Sequence, residues 1–256
     1  MKVRKTSLLI FIILITSLLT GCFTKSDLRE PIGNELKKRF GITEFEILST
    51  TNNWFEGIDH DTVIEIKKPY FTRSQFFVSR QDYSLYGVRL LEDILKGAFV
   101  VQFPKVIEQS NRIIRKYKLM SEPPMFEHDK TESYHYYMQL NFDDQQKADI
   151  EKQLKSKQKV DLLSLLPTLR RVPVGDGDGD NTDWQGVVNF IYYYNVADPK
   201  MAKNVPQAAD LARELQESGT LPPCIYNVKI RTIFFDETTI SFDGGGPDSN
   251  IVFQID

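Results

Sequence analysis

The spacing of apolar residues changes along the chain, and each spacing predicts a type of secondary structure. Ile32, Leu36 and Phe40 recur every four residues and Gly41 follows them, which predicts a short amphipathic helix ending at a glycine cap. Pro31 is expected in the first turn of this helix. The next segments predict, in turn, strands over residues 43–50, 62–68 and 75–79 and helices over residues 85–96 and 105–119.

The second half of the chain also predicts a mixture of helices and strands. The most regular strand pattern covers residues 134–142, where one face would carry Tyr134, Tyr136, Met138, Leu140 and Phe142. Residues 187–196 are apolar almost throughout, which predicts a central strand covered on both faces. The remaining pattern predicts helices from Asp143 or Asp144 to 157, over 162–169 and over 205–217, and strands over 225–235, 238–242 and 251–255.

Runs of neighbouring strands, without strict alternation of strand and helix, predict the fold class. They favour an α+β fold with a mostly antiparallel sheet and flanking helices. The segment 121–130 contains a Pro-Pro pair and a cluster of charges, so it is the best candidate for a boundary between two small lobes, 32–121 and 131–256.

The first 22 residues have the pattern of an export signal. Lys2, Arg4 and Lys5 precede an apolar stretch over residues 8–19, which is shorter than the roughly 20 residues that a membrane-spanning helix needs. The stretch ends in the tetrapeptide Leu-Thr-Gly-Cys, whose last residue is Cys22. A plain signal peptide, or an N-terminal membrane helix followed by a chance cysteine, is the alternative interpretation.

This tetrapeptide resembles the lipobox of bacterial lipoproteins. The resemblance implies that residues 1–21 are a signal peptide and that the thiol of Cys22 receives a diacylglyceryl group. It further implies a lipidated tether over residues 22–31 and an extracytoplasmic domain over residues 32–256, anchored to the cell membrane. The chain looks like lipoproteins of low-GC Gram-positive bacteria, where the anchor would lie in the plasma membrane; in a two-membrane cell the outer membrane is the alternative.

The net charge limits the kinds of binding partner that the protein is expected to have, and the cysteine content limits the role of Cys224. The chain carries 32 Lys+Arg and 35 Asp+Glu, and loss of the signal would remove three of the cations, taking the net charge from −3 to about −6. Such a chain lacks the basic surface of a nucleic-acid binder, so the expected partners are the membrane, through Cys22, and an unknown envelope protein or ligand. The second cysteine, Cys224, begins an apolar strand and is expected to be a small buried residue.

The histidines and the clustered tyrosines are the candidates for catalytic or ligand-binding residues outside the export signal. His60 and His128 each lie between two acidic residues, an arrangement that can orient an imidazole for acid–base or metal chemistry, although a charged loop explains it as well; His135 is the third histidine. The sequence contains no His-Glu-x-x-His motif, no Gly-x-Ser-x-Gly elbow and no phosphate-binding glycine motif. Clustered tyrosines on two predicted strands suit either a ligand groove or the core, with core packing favoured.

An aspartate-rich loop is a candidate calcium site. Asp176, Asp178 and Asp180 stand at alternate positions separated by glycines, and with Thr182 and Asp183 they could supply oxygen ligands for calcium. The loop resembles an EF-hand at positions one, three, five and seven. It departs from the EF-hand at position six, where the glycine is replaced, and at position twelve, where valine stands in place of glutamate. A solvated acidic turn without metal is the alternative.

These observations leave three function classes. A non-catalytic binding or accessory module of the cell envelope agrees best with an anchor, a full-sized domain and no recognisable catalytic set. A solute-binding lipoprotein of a transporter is the alternative, and an envelope hydrolase that uses His60 or His128 is a weaker one. An enzymatic activity is therefore not the expected function.

Overall fold

The structure is a computed structural model of the chain, and it describes residues 25–52, 60–86, 89–123, 135–157, 159–171, 185–236, 241–244 and 248–256. The helices are α1 (Lys25–Phe40), α2 (Leu90–Gln102), α3 (Pro104–Tyr117), α4 (Asp144–Lys157), α5 (Leu162–Leu165), α6 (Pro199–Ala202) and α7 (Ala208–Glu217), and a 3-10 turn covers Leu166–Thr168. The strands are β1 (Phe45–Asn52), β2 (His60–Ile66), β3 (Thr72–Val78), β4 (Leu85–Tyr86), β5 (Met138–Leu140), β6 (Val188–Asn195), β7 (Cys224–Asp236), β8 (Ser241–Gly244) and β9 (Ser249–Ile255).

The strands form two sheets, and the predicted α+β class with mostly antiparallel pairing is confirmed. The first sheet has the order β1-β2-β3-β4 and is antiparallel throughout. In the second sheet β6 lies between β5 and β7, and the long strand β7 pairs with both β8 and β9. The β6–β7 pair is parallel, and the other pairs of this sheet are antiparallel.

The two halves of the chain contribute to one core. A single hydrophobic cluster includes Leu36 and Ile64 from the first predicted lobe and Leu154, Phe190 and Tyr226 from the second. The division into lobes remains a prediction, and most of the proposed boundary, residues 124–130, lies outside the described residues. None of the helices in the described part of the chain is long and apolar enough to cross a membrane.

Helix α1 begins earlier than its sequence pattern suggested. It starts at Lys25, so residues 25–31, expected to belong to the tether, form its first turns. The reason is Leu28, which is fully buried and extends the four-residue spacing of Ile32, Leu36 and Phe40 by one turn. Pro31 therefore lies inside the helix and not in its first turn. Gly41 has a φ of 71°, as the predicted glycine cap requires.

Strand β5 is much shorter than the alternating pattern over residues 134–142 suggested. His135 has a φ of 48°, and the amide of Met138 donates a hydrogen bond to its carbonyl oxygen at 2.9 Å, so residues 135–137 form a turn. This turn breaks the alternation, because the neighbouring residues Tyr137 and Met138 are both buried. The single expected face is therefore wrong for Tyr136, which packs against Tyr193 in a second, smaller cluster, whereas Met138, Leu140 and Phe142 lie in the main core. Tyr134 lies outside the described residues.

Helix α2 is the central helix of the fold and lies between the sheets. It contacts β3 of the first sheet and β5 of the second, and its residues from Leu90 to Phe99 are buried with the exception of Glu92. At Gly97 the helix approaches the first sheet so closely that a Cβ atom would lie 2.6 Å from the carbonyl oxygen of Phe71. The helix predicted over residues 85–96 lies instead at Leu90–Gln102, because Leu85 belongs to β4 and pairs with Val78.

An ion pair is buried on α2. Lys96 and Asp93 are only 1% and 5% exposed, and their Nζ and Oδ1 atoms lie 3.1 Å apart. The hydroxyl of Ser74 donates to Asp93 Oδ2 at 2.6 Å, and that of Thr72 donates to the Asp93 carbonyl oxygen at 2.7 Å. Both charges are thus compensated in a place where neither could exist alone.

We expect Lys96→Ala to lower the free energy of unfolding by about 3–5 kcal/mol, since it leaves the Asp93 carboxylate buried without its cation. Arg112→Ala is the matched control, because Arg112 pairs with Glu108 on the surface of α3 at 2.6 Å and exposed pairs contribute little. Chemical denaturation of both variants measures the difference. Equal stability of the two variants would contradict the role of the buried pair.

Candidate functional site

Most of the residues singled out in the sequence lie outside the described residues. These are Cys22, His128 and the calcium-loop residues Asp176, Asp178, Asp180, Thr182 and Asp183. The lipid attachment and the metal site therefore remain predictions. The described candidates are His60, His135, the tyrosines and Cys224.

His60 lies in the first sheet and His135 in the turn before β5, and His60 is not arranged for catalysis with Asp61. His60 is fully buried at the start of β2, opposite Val78. Because successive strand residues point to opposite faces, the Asp61 side chain lies on the other side of the sheet. There its two carboxylate oxygens accept hydrogen bonds from Nε2 of Gln75 at 3.1 and 2.9 Å. The pair His60–Asp61 therefore forms no acid–base dyad.

His135 precedes β5 in the second sheet. Its ring packs edge-on against Tyr137, with the ring centroids 5.7 Å apart. Burial lowers the pKa of His135, and the charge of Lys96 lowers it further, so the imidazole is neutral at physiological pH. A cation next to this histidine opposes the protonation that a general acid needs.

The tyrosines pack in the core, as the sequence favoured. Tyr137, Phe190, Tyr192, Tyr226 and Phe253 form a stacked row across the core face of the second sheet, with centroid separations between 5.6 and 6.4 Å. The hydroxyl of Tyr192 lies 2.5 Å from that of Ser110 on α3, and burial raises the pKa of Tyr192. This row is a structural element and not a ligand groove.

Cys224 is buried, as expected, at the start of β7. Burial raises the pKa of its thiol to about 12, so the nucleophilic thiolate is scarce at neutral pH. Cys224 lines a small cleft of about 260 Å³ together with Leu166, Pro223 and Gln254. The cleft offers a shallow apolar surface and no activated nucleophile.

A larger groove lies between α4 and the segment that follows α5. Its volume is about 440 Å³, and it is lined by polar side chains and by three apolar ones, Ile150, Leu165 and Leu169. The lining residues are Asp143, Gln145, Gln146, Asp149, Ile150, Gln153, Leu165, Thr168, Leu169 and Arg170. We call this the α4 groove.

Local sequence positions the two walls of the α4 groove. Asp143 caps α4, since its Oδ1 atom accepts a hydrogen bond from the amide of Gln146 at 2.8 Å. The side chain of Gln146 then joins the walls: its Nε2 donates to the Thr168 carbonyl oxygen at 2.9 Å, and its Oε1 accepts from the Arg170 amide at 3.0 Å. One glutamine thus fixes the opposite wall to the helix.

The side chains of the α4 groove suit binding by hydrogen bonds. Asp149 and Gln153 offer carboxylate and amide groups on the helix side, and Arg170 offers a guanidinium on the other side. The one hydroxyl in the lining, that of Thr168, donates to the Leu165 carbonyl oxygen at 2.7 Å. The lining contains no cysteine, serine, histidine or lysine, so the groups in it that could transfer a proton are the carboxylates of Asp143 and Asp149.

Sequence reasoning missed this groove, although part of its signal was visible. Gln145, Asp149 and Gln153 recur every four residues and so form one stripe on α4. The polar helix was expected to lie on the surface, and this stripe alone does not distinguish a groove wall from ordinary solvent exposure. The opposite wall comes from residues 165–170, which a sequence pattern does not place beside the helix.

Comparison with protein-family models, with curated proteins and with solved structures finds no match to the chain. The described residues form an α+β domain that carries a polar, amide-lined groove between α4 and residues 165–170.

We expect Gln146→Ala to accelerate hydrogen exchange at the Arg170 amide, because that amide loses its acceptor. Gln145→Ala is the matched control on the same helix, since the Gln145 side chain reaches only Asp149 at 3.4 Å. Hydrogen exchange followed by NMR or mass spectrometry measures the effect. Unchanged exchange at Arg170 in the Gln146 variant would show that the glutamine does not hold the groove wall.

Proposed function

We propose that the protein is a membrane-anchored extracytoplasmic lipoprotein that acts as a non-catalytic binding or accessory module of the cell envelope. The α4 groove is the observation that carries the binding role, because its lining combines hydrogen-bonding side chains with apolar ones and contains no activated nucleophile. A ligand that fits such a lining is a polar molecule rich in hydroxyl or amide groups. The anchor rests on the resemblance of residues 19–22 to a lipobox.

The position of α1 supports a close attachment to the membrane. Helix α1 begins at Lys25, and Leu28 is already buried in the core, so only a short segment separates Cys22 from the folded domain. At this end of the domain Lys25 donates to the Leu48 carbonyl oxygen and the Arg29 guanidinium lies 5.0 Å above the Phe45 ring. We infer that the end of the domain formed by α1 and β1 lies next to the lipid surface.

A solute-binding lipoprotein of a transporter is the alternative. The α4 groove, at about 440 Å³, falls within the size range of small-molecule sites. A rise in melting temperature with one member of a metabolite panel would favour this alternative. An envelope hydrolase has less support, because His60 and Asp61 point to opposite faces of their sheet.

A calcium site in the loop formed by Asp176, Asp178, Asp180, Thr182 and Asp183 is a separate proposal that rests on the sequence alone. Several carboxylates close together repel one another, and a divalent cation would remove this repulsion and order the loop. Extracellular sites of this kind bind calcium at roughly 10⁻⁴–10⁻³ M. Such a site would be filled only at millimolar calcium.

We expect Cys22→Ala to abolish incorporation of labelled fatty acid and to leave an uncleaved precursor, because the thiol that receives the diacylglyceryl group is missing. Cys224→Ala is the matched control, since the buried Cys224 thiol is not an acylation site. Metabolic labelling followed by gel analysis measures both variants. Wild-type labelling of the Cys22 variant would exclude the lipoprotein anchor.

We expect millimolar calcium to raise the melting temperature of the wild-type protein to a plateau, because the cation binds only the folded loop. The double variant Asp178→Ala/Asp180→Ala should lose this response. The double variant Asp144→Ala/Asp210→Ala, which removes two acidic residues from helix ends, should keep it. If the wild type and the loop variant melt identically with and without calcium, the loop is a solvated acidic turn.

A further inference from the structure

Strand β9 is the outer strand of the second sheet beside the first half of β7. It pairs antiparallel with β7 along its whole length, from Ser249 opposite Ile230 to Ile255 opposite Cys224. Among the residues that the structure describes, no other strand pairs with β9. Asn250 and Gln254 are exposed, and the apolar residues between them are half-buried. One side of β9 therefore presents an open strand edge.

The register identifies the backbone groups that point outward. The Val187 amide donates to the Ile225 carbonyl oxygen at 2.9 Å, so the peptide groups of Ile225 face β6. Because successive peptide groups of a strand point in opposite directions, those of Tyr226 and Val228 point toward β9. There they pair with the peptide groups of Phe253 and Ile251, respectively. The N–H and C=O groups of the intervening residues, Asn250, Val252 and Gln254, consequently point away from the sheet.

This edge lacks the features that usually protect edge strands. Strand β1, at the edge of the first sheet, has an irregular register between Ile47 and Ser49, and Lys25 covers the Leu48 carbonyl oxygen. Strand β9 contains no charged residue and no proline, and its register with β7 is regular. An edge that is long, regular and uncharged is suited to pair with another strand.

We propose that β9 pairs antiparallel with β9 of a second copy of this chain, around a two-fold axis at Val252. In this register Val252 faces Val252 of the second copy, and Asn250 faces Gln254 of the second copy. These are the residues whose backbone groups point outward, so each facing pair can exchange two hydrogen bonds. On the other face of the joined sheet Ile251 would lie opposite Phe253 of the second copy.

The side chains favour a second copy over an unrelated strand. Within β9 the proposed register sets amide against amide and apolar against apolar. Such self-complementarity is what a two-fold interface requires. Just beyond the strand it sets Asp248 of one copy opposite Asp256 of the other, and Lys229, 3.1 Å from the Asp248 carboxylate, offsets part of that repulsion. The pairing also leaves no β9 edge free, because each edge is paired with the other. It therefore gives a dimer and not a filament. The proposal does not depend on the lipid anchor or on the α4 groove.

Disulfide trapping in the full-length protein, expressed in intact cells, tests the dimer. Val252→Cys should give a covalent dimer under mild oxidation, because the facing Cα atoms would lie about 5.5 Å apart, within disulfide range. Val101→Cys is the matched control, since Val101 is an exposed valine on α2, far along the chain from the edge. Absence of the dimer at position 252, or equal dimer at both positions, would overturn the proposal.

The register has its own test with two differently tagged copies. Asn250→Cys in one copy and Gln254→Cys in the other should cross-link, because these positions face each other in the proposed pairing. Asn250→Cys in both copies should not, since the two cysteines would be offset by four residues, or about 14 Å. Both positions are exposed, so neither change disturbs the core. A cross-link between copies that both carry Asn250→Cys would overturn the register.

Charged substitutions at Val252, on the two-fold axis, show whether a lost cross-link reflects lost pairing or lost folding. Val252→Lys, added to both cross-linking copies, should abolish the Asn250–Gln254 cross-link, because two ammonium groups would then face each other. Val252→Lys in one copy with Val252→Glu in the other should restore it. A misfolded chain would not be rescued in this way, so failure of the rescue would overturn the proposal.

Discussion

The burial of α2 between two sheets is the constraint on which the rest of the structure depends. A helix that contacts sheets on two sides has little solvent-exposed surface on which to carry charge, so Asp93 and Lys96 neutralise each other inside the core. Ser74 and Thr72 attach the same turn to β3. Gly97 then permits the close approach to the carbonyl oxygen of Phe71. The position of the first sheet is set by these contacts.

The interior and the surface of the protein use polar groups differently. Inside, the hydroxyl of Tyr192 is committed to Ser110, and the carboxylate of Asp93 is committed to Lys96 and Ser74. These groups stabilise the fold and have no spare capacity for a ligand. In the α4 groove Gln146 is committed to the opposite wall, whereas Gln153 and Arg170 present side chains that the fold does not require. The groove side chains are therefore available for hydrogen bonds to a ligand.

The second sheet combines a rigid centre with an open edge. Strand β6 is buried on both faces and pairs parallel with β7, and the row of stacked aromatic rings covers their core side. Strand β9 extends the same row with Phe253, and none of the described strands pairs with its outer side. An edge held by so rigid a neighbour is preorganised for pairing, because little further ordering is needed when a strand is added.

The sequence by itself determined the elements whose signal is local. The four-residue spacing gave α1 and its Gly41 cap, the apolar run gave β6 as a central strand, and Asp143 was a visible cap for α4. The turn at His135, which shortened β5, was hidden because alternation is an average property that one residue in a left-handed conformation can interrupt.

Only the tertiary structure decided the contacts between residues far apart in the chain. The parallel pairing of β6 with β7, the burial of Lys96 and the bond from Gln146 to Thr168 join segments that local patterns cannot match. The α4 groove illustrates the reason. Its helix stripe is encoded in a spacing of four residues, but its second wall is placed by packing, and packing depends on the whole core at once.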